Sequence, residues 1–169
     1  MRNSLPLKLR LLGLLINFSY LCIKFNIMSK KKITIWVPRM LKHEDYDVLV
    51  KWWDKWKFAA PSREFLPDDG TCGVMLEDSE GNQYAAGFIY FTNSNACWME
   101  FIVTNPFIKD KAKRKGVIND LIKYLEYLAM DNGAKWIFTS VKHQGLKEKL
   151  IESGFAIGTE NSTEMIKQL

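Results

Sequence analysis

The sequence predicts an α/β (α+β) domain built on a mixed, mostly antiparallel central sheet with flanking helices. Three observations carry this prediction. The chain has 169 residues, 47% hydrophobic and 25% charged, which is the size and composition of one globular domain. Short β-rich runs alternate along it with segments of helical periodicity. A turn sequence separates the second and third of these runs and pairs them as an antiparallel hairpin.

The first part of the domain predicts a strand, a helix and a loop. Residues 33–37 form a β-rich run that Pro38 ends. Residues 44–56 place apolar side chains at helical spacing. Residues 58–70 contain two prolines and end in Asp-Asp-Gly, which favours a loop or a broken helix.

Three strands are predicted next. Residues 71–76 and 84–92 flank the hairpin turn Asp-Ser-Glu-Gly-Asn at 78–82. Residues 96–104 are nearly all apolar, which is typical of a strand in the interior of a sheet. We therefore expect this third strand to be buried on both faces.

The last part predicts two more helices and the end of the sheet. A helix over residues 115–130 ends at Asn132 and Gly133, a C-cap signal. Residues 135–141 form a strand, and a short amphipathic helix over residues 146–152 stops before Gly154. Two final strands complete the sheet, at residues 155–157 and 163–166.

The N-terminal residues do not share this pattern. They combine a basic start with an apolar run of 13 residues, which is short of the roughly 20 that span a bilayer, so we expect no stable membrane insertion. Met28 opens a sequence typical of an ordinary N-terminus. We expect residues 1–27 to be an extension outside the fold and residues 28–169 to form the domain. A membrane-associating segment and a secretory signal stay open as alternatives.

The charge and cysteine content limit the classes of partner. Residues 1–32 hold seven basic and no acidic residues, whereas residues 33–169 hold 17 basic and 19 acidic ones, a net charge of −2. This near-neutral domain does not favour nucleic acid as a partner. The three cysteines form no C-x-x-C pair and the two histidines lie 100 residues apart, so we expect no metal site. Unpaired cysteines suit a reducing compartment, here the cytoplasm.

A basic stretch before the long helix carries a candidate binding chemistry. The N–H groups at a helix N-terminus attract phosphate, basic side chains add charge-assisted bonds, and a glycine lets an oxygen approach the backbone. The residues of these types here are Lys109, Lys111, Lys113, Arg114, Lys115 and Gly116. The stretch predicts pyrophosphate binding, and a solvated basic loop is the alternative.

These residues and the order of elements together resemble the GNAT-type N-acetyltransferases. The resemblance lies in the strand Cys-Trp-Met-Glu-Phe-Ile-Val, in the motif Lys-Arg-Lys-Gly-Val-Ile at residues 113–118, and in Gly-Phe after the short helix. It covers residues 33–169. It implies acetyl-CoA as co-substrate and no metal. It also implies that the backbone of Ile102, Val103 and Thr104 polarises the thioester. The residues that it assigns to the pyrophosphate are Lys113, Arg114, Lys115, Gly116 and Val117.

Two residues are candidates for proton transfer. Glu100 is the only charged residue within residues 96–104, and burial among apolar neighbours raises a carboxyl pKa toward that of a general base. The alternative is an outward-facing Glu100 paired with a lysine. His143 follows a strand, where ligands gather in α/β sheets, and is a candidate acid because Leu150 stands where the family often carries tyrosine. The alternative is a polar residue at a helix N-terminus.

Aromatic and acidic residues in the first half have two interpretations. Trp52, Trp53 and Trp56 with Phe58 are core residues by their helical spacing, or they line a substrate cleft with Phe65 and Trp98. Asp68 and Asp69 are turn residues, or they hold a cationic amine.

The expected function is acetyl transfer from acetyl-CoA to an amine by direct attack, with a small molecule or a protein as acceptor. Two alternatives use the same fold: a DNA-base modifier similar to the Mom-type enzymes, and an acyl-CoA-binding module without catalysis. The sequence is also compatible with a homodimer and does not decide the oligomeric state.

Overall fold

The computed structural model describes residues 36–167 of the chain. The expected extension at residues 1–27 lies outside the described residues, as does most of the strand predicted at residues 33–37. Two 3₁₀ turns, Arg63–Phe65 and Pro67–Gly70, lie in residues 58–70, the segment predicted as a loop or a broken helix. The strands and helices are β1 Val37–Met40, α1 Asp45–Lys55, β2 Gly73–Glu77, β3 Gln83–Phe91, β4 Ala96–Thr104, α2 Lys111–Asp131, β5 Trp136–Phe138 and α3 Gln144–Glu152.

The five strands form one sheet in the order β1-β2-β3-β4-β5. Neighbouring strands are antiparallel except β4 and β5, which are parallel, so the predicted mixed, mostly antiparallel sheet is confirmed. The prediction that Pro38 ends the first strand is wrong, because Pro38 pairs with Leu76 inside β1. An edge strand tolerates proline because one side of its backbone needs no ladder partner.

Helices cover the two faces of the sheet unequally. The long helix α2 packs Val117, Leu121 and Leu125 against one face, and each of these side chains is fully buried. On the other face, α1 contributes Leu49, Trp52 and Trp53 to a second cluster that includes Phe88 of β3. The first face is therefore covered by the long helix, and the second by the short one.

A buried ion pair fixes the start of α1 to the sheet edge. Asp45 is 2% exposed and accepts two bonds from Arg39, at 2.6 and 2.9 Å. Arg39 also donates to Glu77 of β2, and Gln83 and the Lys42 N–H donate to Asp45. Burial raises the pKa of Asp45, but these hydrogen bonds outweigh it and hold the pKa below its usual value.

Two boundary predictions are wrong. The long helix begins at Lys111 rather than at residue 115, because the Asp110 side chain accepts from the Ala112 and Lys113 N–H groups and caps it there. The strand predicted at residues 135–141 is only Trp136–Phe138.

The two final strands predicted at residues 155–157 and 163–166 are absent from the described structure, where these residues form no strand. Met165 is 89% exposed, so nothing there buries the apolar side chains that would stabilise a strand. Within residues 36–167, none of the helices is both long and apolar enough to cross a membrane.

Candidate active site

An opening between β4 and β5 is the main feature of the C-terminal half of the sheet. The pairing of these strands ends at Trp98 and Phe138, yet β4 continues to Thr104. Along residues 99–104, β4 therefore has no strand partner on this side within the described part of the chain. Ile102, Val103 and Thr104, the residues expected to present N–H groups to a thioester, lie in this stretch.

A bulge deforms β4 beside the opening. The register with β3 shifts between Ala86 and Phe88, and Phe101 has a φ of 53°. A bulky residue at positive φ is strained, typically by about 1 kcal/mol or more. The Phe101 ring contacts the rings of Phe88 and Trp53, so it lies on the face of the sheet that α1 covers.

Glu100 lies on the same face as Phe101, opposite Phe88, its partner in β3. Its Oε1 accepts from the Ser140 N–H at 2.9 Å, so its carboxylate bridges the opening to the segment that follows β5. Burial raises the pKa of Glu100 to about 6; the Ser140 N–H lowers the pKa and the charge of Glu164 raises it further.

The surroundings of Glu100 bear on its two interpretations. The direction of the pKa shift is the one expected for a buried carboxylate. Among the side chains that the structure describes, no ion pair includes Glu100, so the lysine partner of the alternative interpretation is not found there. The role of general base stays a prediction.

Tyr90 is a neighbour of Glu100 that sequence reasoning missed. Its hydroxyl donates to the Phe65 carbonyl at 2.9 Å. Burial raises its pKa well above the usual value, and the nearby charge of Glu100 adds to the effect. It therefore acts as a neutral hydrogen-bonding group at neutral pH. The only signal in the sequence is its position opposite Trp98 in the hairpin, which requires the register to be known.

His143 is the N-cap residue of α3 and is exposed. Its backbone carbonyl accepts from the Leu146 and Lys147 N–H groups, while its side chain makes no capping bond. It follows Ser140, which contacts Glu100, by three residues. The structure thus places His143 at a helix N-terminus. Its role as an acid stays a prediction.

The residues expected at the pyrophosphate lie in the first two turns of α2 rather than before it. The Lys113 N–H donates to the Asp110 side chain and the Arg114 N–H to the Asp110 carbonyl. Gly116 is exposed, and a Cβ added there would meet nothing within 4 Å. Val117 is buried in the core and lies in the second turn of α2, where helical N–H groups bond to carbonyl groups within the helix.

Arg114 of this group holds the loop before α2. Its guanidinium donates to the carbonyl oxygens of Ile108 and Pro106 and lies 5.5 Å from the centre of the Trp56 ring. Trp56 in turn donates its indole N–H to the Thr104 carbonyl at 2.8 Å. These bonds fix the end of β4 relative to the helix that follows it.

The remaining sequence candidates separate into core and surface. Trp52 and Trp53 are buried, which confirms them as core residues. Phe58, Phe65 and Trp98 are exposed. Asp68 and Asp69 adopt positive φ within a 3₁₀ turn, and the Asp68 carbonyl accepts from the Thr71 N–H, so both are turn residues.

A shallow cavity of about 490 Å³ lies elsewhere on the surface. It lies between α1, the β2–β3 turn and the loop after β4, with Trp52, Tyr84 and Asn105 among its lining residues. No residue of β5 lines it, so it is separate from the β4–β5 opening. Within residues 36–167, no three His, Cys, Asp or Glu side chains group as metal ligands would.

The chain has the fold of the GNAT-type N-acetyltransferases. It is similar to N-acetylglutamate synthase from Neisseria gonorrhoeae, solved with coenzyme A and N-acetyl-glutamate, with 18% identity and a TM-score of 0.60 over 78% of this chain and 31% of that one. The chain therefore spans about a third of the length of that synthase.

Two other similar structures match along nearly their whole length. They are glucosamine-6-phosphate N-acetyltransferase from Arabidopsis thaliana (14% identity, TM-score 0.54, 78% of this chain and 99% of that one) and AAC(6')-Iy (15%, 0.53, 79% and 99%). The latter was solved with a bisubstrate analogue of coenzyme A. No family model and no curated protein matches the chain.

Proposed function

We propose that this chain is an acyl-CoA-dependent N-acetyltransferase that uses acetyl-CoA and an amine. The observation that carries the proposal is Glu100, a half-buried carboxylate with a pKa of about 6, set at the opening between β4 and β5. A carboxyl group with a pKa just below neutral is ionised at neutral pH. Because it is also sheltered from bulk water, it is suited to accept a proton from an attacking amine.

In the proposed reaction the amine nitrogen attacks the thioester carbon directly. Glu100, directly or through one water, takes the proton that the nitrogen loses. The N–H groups along residues 102–104 stabilise the negative charge that develops on the carbonyl oxygen. The C–S bond then breaks, and the thiolate takes a proton, for which His143 is the proposed donor.

The start of α2 fits a pyrophosphate in part. Lys111 and Lys113 are exposed there, beside the positive end of a helix of 21 residues. The Asp110 carboxylate, however, already accepts from two of the first N–H groups. A phosphate at these N–H groups competes with this carboxylate, so Asp110 weakens the proposed binding.

The DNA-base modifier is less well supported than the amine acetyltransferase. That alternative assigns base stacking to the tryptophan cluster of α1 and phosphate contacts to the Lys-rich loop. Trp52 and Trp53 are each 2% exposed and belong to the core, so they do not serve this purpose.

Gly116 allows a test with a matched control. The position is open, so neither Gly116→Asp nor Gly116→Asn meets a clash. Acetyl-CoA is expected to raise the melting temperature of the wild type and of Gly116→Asn by binding the folded state. Gly116→Asp is expected to lose this rise, because its carboxylate repels the phosphate. An assay of coenzyme A thiol release with a panel of amines then shows whether the protein transfers the acetyl group or only binds acetyl-CoA. An unshifted melting temperature in the wild type at millimolar acetyl-CoA contradicts the proposed function.

A further inference from the structure

Exposed aromatic side chains surround Glu100 on one face of the sheet. Trp98 and Glu100 are two residues apart in β4 and so face the same way, and Trp98 pairs with Phe138 in β5. Trp136 shares this face, because it alternates with Ile137, which packs on the opposite core. We call Trp98, Trp136 and Phe138 the aromatic face.

The aromatic face is open to solvent although it lies on the sheet. Trp98 is 40% exposed, Phe138 50% and Trp136 69%. The Trp98 and Phe138 rings are stacked, with centroids 4.9 Å apart and planes 21° from parallel. The cluster that α1 forms on this face reaches Phe101 and Val103 of β4 but includes no residue of the aromatic face, so within residues 36–167 no helix packs on this end of the face. A contiguous exposed patch of this kind marks a binding surface.

Further aromatic groups connect this face to the centre of the site. Tyr90 lies opposite Trp98 in β3, and its ring contacts those of Phe65 and Phe101. Phe65, on the first 3₁₀ turn, is itself partly exposed. A ligand on the aromatic face is therefore bordered by aromatic rings on the side that leads to Glu100.

The charge next to the aromatic face is negative. Glu100 is the charged residue of β4, and Glu164 acts on it electrostatically. Lys142 pairs with Glu164 at 3.2 Å and so neutralises that second carboxylate. Arg63, the basic residue of the first 3₁₀ turn, is held by Asp47 and the His43 carbonyl and lies over the Tyr46 ring. Glu100 is thus a carboxylate beside the rings that no ion pair of the described residues neutralises, which favours a cationic group.

We infer that the acceptor is a small arylalkyl amine whose planar ring lies on Trp98 and Phe138 and whose nitrogen reaches Glu100. The inference rests on the proposed function and specifies its substrate class. Residues two apart in a strand are separated by about 6.7 Å, a span that a ring and a short alkyl linker bridge. Aromatic stacking selects the ring, and the carboxylate selects the amine.

Three probes of similar size test this inference: 2-phenylethylamine, hexylamine and 2-phenylethanol. Binding is measured by isothermal titration to the full chain, with and without acetyl-CoA, and transfer by release of coenzyme A thiol. We expect 2-phenylethylamine to bind at least about tenfold more tightly than either other probe, because each lacks one of the two recognised groups. Equal affinity for 2-phenylethylamine and hexylamine overturns the inference.

Variants of the aromatic face make the test specific. Trp98→Ala is expected to raise KM for 2-phenylethylamine about tenfold, to change KM for hexylamine and acetyl-CoA little, and to be partly rescued by Trp98→Phe. Met130→Ala, which removes another exposed apolar side chain, on α2, is the matched control and is expected to change none of these values. An equal loss for both amines in Trp98→Ala contradicts the inference.

The outcomes also separate this inference from the proposed function. Transfer to hexylamine without preference for the aryl amine leaves the acetyltransferase proposal standing and removes the substrate class. Preferential binding of the aryl amine without transfer to any amine contradicts the acetyltransferase proposal and leaves the aromatic face only as a binding site for aryl amines. A dimer that Trp136→Glu dissociates, together with no binding of the aryl amine, shows that a second copy covers the aromatic face and overturns the inference.

Discussion

Replacing Glu100 with glutamine tests the proposed mechanism most directly, because activity and stability are expected to change in opposite directions. Glutamine keeps the shape of the side chain, and its carbonyl oxygen still accepts from the Ser140 N–H. It removes the charge and the ability to take a proton. The change therefore leaves the structure of the site intact and deletes one chemical property.

The stability effect follows from the pKa of about 6, against 4.5 for an unperturbed glutamate. Because the folded-state pKa is the higher one, Glu100 contributes stability below pH 4.5, loses it as the pH rises through about 6, and destabilises the fold above that. The shift corresponds to about 2 kcal/mol at most, reduced to about 1 kcal/mol by partial solvent screening. Glu100→Gln is therefore expected to raise the melting temperature at pH 7.5 by about 3 °C.

The activity effect has the opposite sign. Loss of a positioned general base lowers turnover on the order of 10²–10⁴-fold. The deficit is expected to shrink as the pH rises, because more of the amine is then neutral without help. The wild-type rate at fixed acetyl-CoA is expected to increase through about pH 6 as Glu100 ionises, and this limb is expected to be missing in the variant.

The assay measures thiol release from pH 5 to 9 beside thermal unfolding of the same samples. A stabilised Glu100→Gln with full turnover at neutral pH would falsify the mechanism, because it shows a carboxylate that strains the fold without serving the reaction. A destabilised variant with low turnover contradicts the pKa argument, since it indicates that the charge supports the structure.

Three further predictions concern the surrounding residues. His143→Ala is expected to lower turnover without raising the Kd for acetyl-CoA, because it removes the proposed proton donor to the leaving thiolate, and full turnover in this variant contradicts the role of acid. Asp110→Asn keeps a capping oxygen but removes the negative charge at the start of α2. The Kd for acetyl-CoA is therefore expected to fall about threefold at low salt, because the carboxylate no longer repels the phosphate. An unchanged Kd indicates that the pyrophosphate binds elsewhere. Asp45→Asn leaves Arg39 without its buried partner and is expected to cost about 3 kcal/mol in urea unfolding at pH 7. Because the pKa of Asp45 lies below its usual value, that cost is expected to narrow only as the pH falls below about 4.

The bounds of several helices and strands were predictable because residues close to each end determine them. The bounds of β4 agree with the prediction at both ends, and α1 agrees within one residue at each end. The long helix ends at Asp131, with Asn132 as its C-cap and Gly133 next at a φ of 83°, as the sequence indicates. In each case the apolar spacing and the end signals lie within a few residues of each other.

The start of α2 shows how one local signal overrode another. The run of basic residues indicated a loop, but Asp110 lies within this run and caps a helix that includes its basic residues from Lys111 onward. The final strands failed for a different reason. A strand needs a partner, and the register of residues 155–166 against other strands is not written in their own sequence.

The site itself depended on contacts between distant residues. Glu100 was found because one charge in an apolar strand is visible in the sequence. Its bond to Ser140 joins residues 40 apart, and its closeness to Tyr90 depends on the hairpin register. The bulge at Phe101 had no sequence signal, because phenylalanine is an ordinary strand residue and is not expected at positive φ.

The bulge also gives a reason to locate the site at Glu100 without reference to any resemblance. Three costly features coincide there: a strained Phe101 backbone, a half-buried carboxylate with a raised pKa, and a strand edge that has lost its partner in the described structure. The bulge at Phe101 lies three residues beyond Trp98, the last residue of β4 that pairs with β5, so it lies close to the point where the strands diverge. The strained backbone and the raised pKa each destabilise the fold by about 1 kcal/mol or more. Structural demands do not require such costs to fall on neighbouring residues, whereas strained and destabilising features gather at functional sites, so their coincidence supports the site proposed at Glu100.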